Sequence, residues 1–447
     1  MSLNRENRCS DKGSRRWRSL SKFLLLVVWS TWSAGVWVQD DAWAAVFALQ
    51  SDGKIVKVEG GEEKSFAVVR YKPDGKLDDS FGEGGKVTTR IGTDPEIEDA
   101  PSALSLQADG KIVVIGRAYS INPEFKPVRY SNDFAIVRYN PDGSLDVSFG
   151  KEGIVTTDFT AKGARPYRGP SYDEARALAI QADSKLVVGG ITALARYHSD
   201  GILDTSFGTG GDIEVAVRAL TLQRDGKIIV AGPEGAFTLT RYNSDGTVDA
   251  SFGTEGKVAT QVGRVDAVDA VAVQAEGKIV AVGSFYDGHR LGLAILRYHL
   301  DGRLDATFGS GGKVLSDFGV VKSKIPYFNP AYLSSLRWKM VVQTDGKIVV
   351  TGEPWNNLPQ GFALIRYNPD GSLDTNFGTK GTVASFISAG HDFSTDLALQ
   401  ADGKIVVAGT SEGKFAVLRY NPDGSLDSTF GAGGKATTQI NSNHTIQ

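Results

Sequence analysis

The phrase Arg-Tyr, two residues, Asp-Gly, two residues, Asp, two residues, Phe-Gly occurs seven times, beginning at Arg70, Arg138, Arg196, Arg241, Arg297, Arg366 and Arg419. A second phrase precedes each copy, an apolar run ending in Gln, then a turn, then Lys-Ile-Val-Val or a close variant. It reads Ala48-Leu49-Gln50-Ser51-Asp52-Gly53-Lys54-Ile55-Val56 in the first copy and Leu397-Ala398-Leu399-Gln400-Ala401-Asp402-Gly403-Lys404-Ile405-Val406-Val407 in the last, with Ser184 and Glu276 as small departures at the turns. A chain that repeats itself in this way folds as one supersecondary unit copied along its length. Seven units account for nearly everything after residue 44.

Each unit supplies an apolar run, an Asp-Gly turn, a second apolar run, a variable link, a third run such as Phe415-Ala416-Val417-Leu418-Arg419-Tyr420, and a last β-rich stretch such as Gly85-Lys86-Val87-Thr88-Thr89. Short runs of Val, Ile, Leu and Phe bounded by Asp-Gly are strand and hairpin signals, and no segment carries a helical period. The unit is therefore a four-stranded antiparallel meander. Its second strand, as in Ile112-Val113-Val114-Ile115, is apolar at successive positions, so both faces of the small sheet are covered. The shortest spacing between units is 45 residues, from Arg196 to Arg241. That length holds a propeller blade, whereas a β-solenoid coil needs about half of it. Seven copies predict an all-β, seven-bladed β-propeller of four-stranded antiparallel blades. The Phe of each Phe-Gly pair (Phe81, Phe149, Phe207, Phe252, Phe308, Phe377, Phe430) is expected to pack between blades. No blade borrows a strand from the other terminus, so closure is expected to rest on side-chain packing between the first and seventh blades.

Residues 1–44 are of another kind. Arg5, Arg8, Lys12, Arg15, Arg16, Arg18 and Lys22 precede the apolar run Phe23-Leu24-Leu25-Leu26-Val27-Val28-Trp29, and Ala42-Trp43-Ala44 stands just before the first unit. This is the order of a secretory signal peptide cleaved after Ala44, leaving residues 45–447 as the propeller. The run is interrupted by Ser30, Thr31, Ser33 and Gly35, which makes it short for an uncleaved membrane span. Export to the periplasm, cell surface or exterior is the expected fate, with membrane contact only through the leader. The single cysteine, Cys9, lies in that leader, so the mature chain has no disulfide or thiolate chemistry. Removing the leader's seven basic and four acidic residues from totals of 49 and 52 leaves 42 against 48, a net charge of −6 with no nucleic-acid footprint.

The paired phrases, as in Ala398–Gly409 and Phe415–Asp427, closely resemble the delta-60 repeat family. The likeness covers residues 45 to about 440, and both phrases recur in order in every unit. It implies a bacterial exported or surface-associated β-propeller of undefined biochemical role and brings no catalytic residues. The unit is also distantly similar to NHL-type propeller repeats.

Asn368-Pro369-Asp370-Gly371-Ser372-Leu373-Asp374 invites comparison with a calcium loop. Aligned on Asp-Gly, the first ligand position falls on Arg366, a fixed positive charge where a carboxylate is needed. A hairpin turn at Asp370-Gly371 and an Arg366–Asp374 ion pair are expected instead. His198 and His299 stand where other units carry Asn, and His289 and His391 have no matched partner. The sequence shows no nucleophile elbow, zinc cluster or phosphate loop. No cofactor or metal is expected.

The informative variation is in the links Arg117 to Asp133, Thr160 to Arg176, Ser284 to Gly292, Val321 to Trp338 and Glu353 to Gly361. In a four-stranded meander, hairpins between second and third strands and links between blades share one face by parity. The candidate recognition residues there are Tyr119, Arg129, Tyr130, Tyr167, Arg168, Tyr172, Tyr286, His289, Arg290, Tyr327, Tyr332 and Trp355. Aromatics and Arg on loops over a rigid scaffold suit a recognition surface; the plainer alternative is loops that only cover the channel mouth. The function expected is non-catalytic binding of a protein or glycan on this face. The alternatives are a propeller hydrolase or lyase at the central channel, marked by titratable groups converging there, and a purely structural envelope component.

Overall fold

The computed structural model describes residues 46–60, 64–92, 98–122, 129–159, 171–232, 235–320, 337–352, 361–388 and 392–438. The leader and cleavage site expected from the sequence lie outside them. The described residues form seven antiparallel sheets in sequential strand order, each with four meander strands, and contain no α-helix. No described helix is long and apolar enough to cross a membrane. The chain is a seven-bladed β-propeller, as the repeats predict.

The inner strands are Val46–Leu49, Ala100–Leu106, Ala175–Ile180, Ala219–Leu222, Val265–Val273, Lys339–Val342 and Asp392–Leu399. They touch one another in order around the axis, and the first meets the last. Outside the first blade the second strands are fully apolar in the middle, as in Ile112, Val113, Val114 and Ile115, all with 0% exposure. Blade-to-blade burial of this kind forms the core.

Glycine makes the close fit possible. A Cβ on Gly116 would lie 2.1 Å from the Ala100 carbonyl oxygen and 2.8 Å from Phe66 of the preceding blade. Gly190 and Gly409 meet Phe134 and Phe362 of their preceding blades in the same way. Counting from the Gln of each unit, six blades place Gly here, and the first places Glu59. Two residues earlier those six place Val or Ala, and the first places Lys57. The seam between the seventh and first blades is thus chemically distinct: Lys57 is buried, pairs with Glu59, and sits 3.8 Å from the ring centre of Phe415.

Closure is more than side-chain packing. The backbone N–H of the Phe-Gly glycine donates to the Asp-Gly aspartate carbonyl of the next blade at all seven junctions. Six of these bonds measure 2.7–2.9 Å, and the seventh, Gly431 to Asp74, measures 3.2 Å. The Phe of each Phe-Gly packs on the next blade's turn glycine: a Cβ on Gly371, whose φ is +87°, would stand 3.1 Å from Phe308. A repeat period reveals what each unit contains but not the backbone bond it makes to its neighbour, which is why the sequence suggested packing alone.

Two of the variable links are strand, not loop. In the second blade the middle strands run Ile112–Asn122 and Arg129–Tyr139 and stay paired to Asn122 and Arg129. In the fifth blade they run Ile279–Tyr286 and Arg290–Tyr298.

Candidate functional site

On the face formed by the Asp-Gly turns, every blade builds the same charged unit. The Arg of Arg-Tyr lies in an apolar third strand, and its Nε donates to Oδ2 of the Asp eight residues on at 2.7–2.8 Å. The Lys that follows the first turn reaches the same oxygen at 2.8–3.2 Å. Oδ1 accepts the backbone N–H two residues on, from Ser80, Ser148, Ser206, Ser251, Thr307, Asn376 or Thr429. The guanidinium also lies 4.3–4.8 Å from the centre of the Phe-Gly ring. Its Nη1 donates to a carbonyl of the next blade: Pro141, Ser199, Ser244, Leu300, Pro369, Pro422 and, across the seam, Pro73. The expected Arg366–Asp374 pair is present at 2.8 Å, and it belongs to a latch between blades. Both oxygens of each Asp are occupied, so this ring is a scaffold element.

The opposite face carries the variation. The extended hairpin of the second blade projects there, and the segment Ser171–Tyr172 from the link to the third blade pairs in parallel with Ser131 and Asn132 near its tip. Link and hairpin therefore leave the ring on one side, as parity requires. In the fifth blade the whole sheet is lengthened, with an inner strand of nine residues and an outer strand, Lys313–Val320, of eight. Where blades meet on this face, Asp99, Asp173, Asp266 and Asp392 are buried and accept backbone N–H groups from the incoming links, from Ile91, Phe159, Val262 and Ile387 among others.

The seven candidate recognition residues among the described ones divide between these two projections. Tyr119 is half-buried in the second-blade hairpin, and its backbone N–H donates to Asp99 at 3.2 Å. Arg129 and Tyr130 stand in the returning strand, and Tyr172 pairs through its backbone with Asn132. Tyr286 is buried at 8% exposure with its hydroxyl donating to the Gly288 carbonyl, so it serves its own hairpin. His289 and Arg290 are exposed at that hairpin's tip, where the Arg290 Nε lies 2.8 Å from Asp287 Oδ2. Tyr167, Arg168, Tyr327, Tyr332 and Trp355 lie outside the described residues.

A third group of residues escaped the sequence reading. On the inner strands, four residues before the Gln, five blades carry Val46, Ala103, Ala177, Ala219 and Ala270, whereas the sixth and seventh carry Lys339 and Asp396. Both are 7% exposed. Beside them, Asp269 occupies a bulge in the fifth blade's inner strand and pairs with Arg218 of the fourth at 2.9 Å. The Trp338 indole N–H donates to Ser284, whose hydroxyl stands 3.4 Å from Asp269. Burial pushes the Asp269 carboxyl up to about 6 against the pull of Arg218. Burial also pushes Asp396 up and pulls Lys339 down, against their mutual attraction. The signal was legible as a column of small residues broken in two adjacent units. Among the described residues no group of His, Cys, Asp and Glu is placed to hold a metal ion.

The class of protein is thus a regular propeller with one invariant face and one variable face. A family model described as "Domain of unknown function (DUF5122) beta-propeller" matches residues 50–81, 107–149, 181–207, 223–252, 274–308, 343–377 and 400–430, and the chain belongs to that family. These seven segments coincide with the paired phrases. No curated protein matches the chain. Similar solved structures include virginiamycin B lyase from Staphylococcus aureus, at 9% identity and TM-score 0.42, covering 84% of this chain and 94% of that one. A quinonprotein alcohol dehydrogenase-like protein from Bacteroides thetaiotaomicron aligns at 16% identity and TM-score 0.45, covering 87% and 77%.

Proposed function

We propose that the protein is an exported, non-catalytic binding scaffold that captures a protein or glycan on its loop face. One observation carries this reading: the blades that outgrow the common unit, the second and fifth most and the seventh less, do so on that face, while the turn face repeats one latch seven times. Variation confined to one side of a rigid ring is how a scaffold presents a recognition surface. The basic, apolar, Ala-Trp-Ala order before residue 45 supports export. The test is capture from envelope and extracellular fractions on immobilised residues 45–447. A partner retained saturably and displaced by free protein supports the reading; no saturable partner in either fraction refutes it.

A second reading, a hydrolase or lyase at the channel, is favoured by a different observation, the buried Asp269, Lys339 and Asp396 on neighbouring inner strands. Titratable groups perturbed by burial on neighbouring strands are one mark of a catalytic site.

A further inference from the structure

The first blade meets the seventh with a face unlike any other in the ring. In its second strand, Ile55–Gly60, alternate residues Ile55, Lys57 and Glu59 share that face, where the second blade presents Ile112, Val114 and Gly116 to its own neighbour. Phe47, Ile55, Val69 and Tyr71 form one apolar cluster with Phe415 and Val417 of the seventh blade. Lys57 lies inside that seam, 1% exposed, paired with Glu59 and 3.8 Å from the Phe415 ring centre. A covered ion pair is no better for stability than the apolar packing the other blades use, because both charges must first leave water. The bonds across the seam are also the longest of their kind. Gly431 to Asp74 measures 3.2 Å against 2.7–2.9 Å elsewhere, and Arg419 Nη1 to the Pro73 carbonyl measures 3.0 Å, longer than at the six other junctions.

Before the ring closes, the chain has two bare end faces, one carrying Phe415 and one carrying Lys57. The junction between them is head-to-tail, so it can close a ring within one chain or add one chain to the next without limit. Repeat arrays stop such growth with a polar end face. We propose that Lys57 and Glu59 are that end face, and that the partner they refuse is a second copy of this chain. Their desolvation leaves the seam too weak to join separate molecules. It still forms within one chain, because the six other junctions hold the two ends together at an effective concentration in the millimolar range, roughly a thousandfold above that of separate chains at micromolar concentration. The inference is independent of the loop-face reading and stands whether or not that face binds a partner.

The test is refolding in the presence of a competitor. Two differently tagged preparations of the full chain are unfolded in guanidinium, mixed and diluted to refold over a hundredfold range of protein concentration. Size-exclusion chromatography with light scattering gives the mass, and retention of one tag through the other counts mixed oligomers. Wild type should return as monomer throughout. Lys57→Val with Glu59→Gly copies the apolar junction, and Lys57→Met with Glu59→Gln removes both charges at nearly constant volume. Each pair of changes should give at least fivefold more mixed oligomer at the highest concentration, with the β-sheet circular dichroism of the monomer, and if one variant does not refold the other decides. Mixed oligomers no more abundant in the variants than in wild type overturn the proposal. Oligomers that lack the β-sheet signal are misfolded aggregates and count against it, as does wild type that itself forms mixed oligomers as its concentration rises.

Discussion

Arg419 of the last blade donates through Nη1 to the carbonyl of Pro73 in the first at 3.0 Å. The ring is therefore closed by the same latch that joins every other pair of blades. Because each Arg holds its own Asp, a Phe ring and the next blade at once, its loss is a loss of cohesion between blades.

Arg366→Ala should cost about 3 kcal/mol or more, since it leaves a buried carboxylate short of its main partner. Lys347 remains 3.2 Å from Asp374 and softens the loss. Adding Asp374→Ala should recover part of it in urea titrations. Simple additivity of the two changes would reject the coupling.

The seam offers the opposite experiment. Lys57 is pulled down to about 8 by burial, in spite of Glu59. The double change Lys57→Val with Glu59→Gly writes into the first blade a pairing the other blades use. Exchanging a buried ion pair for apolar packing should raise stability by about 1 kcal/mol or more. A fall of that size would mean that the contact of Lys57 with Phe415 is what holds the ring shut.

Stability should depend on pH with two opposed limbs. Burial raises Asp146, but hydrogen bonds from Ser148 and the charges of Lys111 and Arg138 outweigh it and hold the carboxyl at about 2. The other six motif aspartates are likewise held below their ordinary range. A carboxyl lowered on folding contributes stability that is whole above its unfolded value of ~3.9 and lost as pH falls through its folded value. Asp269, raised to about 6, does the reverse: the folded state binds its proton more tightly, so stability rises as pH falls from 7 toward 4. Melting temperature should therefore peak between about pH 4 and 5, then drop steeply. Asp269→Asn should make the neutral limb shallower, leaving the part that the likewise raised Asp396 contributes, and should leave the acid limb intact. A melting curve that falls steadily from pH 7 to 4 would contradict this assignment.

Calcium should not matter to folding. The Asp-Gly carboxylates are spent on their own turns, as where Asp370 Oδ1 accepts the Ser372 N–H at 2.8 Å, and the later Asp is spent on Arg and Lys. Melting temperatures in chelator and in millimolar calcium should agree. A large rise with calcium would show that these turns are ligands.

The seven blades, their four strands and the Arg–Asp pair were legible because each is local to one unit and recurs in all. What the pair reaches was not, because the carbonyl of Pro422 belongs to the next copy and has no side-chain signature. The recurrent Lys347 was equally visible, yet it lies 27 residues before its partner Asp374, so its role waited on the fold. Aromatic and polar residues after Arg117 read as a loop, whereas Tyr119 pairs with Asn132 in a prolonged hairpin. Lys339 and Asp396 are 57 residues apart and become neighbours only when the ring brings two inner strands together.

The central claim is that the loop face is a recognition surface. Trimming the insertions within Arg117–Asp133, Thr160–Arg176 and Val321–Trp338 to the length of the fourth unit's short links leaves the turn-face latches untouched. The trimmed ring should keep its β-sheet circular dichroism and its cooperative melt. Measured by saturation binding to the partner captured by the parent protein, its affinity should fall at least tenfold. Equal affinity of parent and trimmed rings would contradict the account and move the function elsewhere on the molecule.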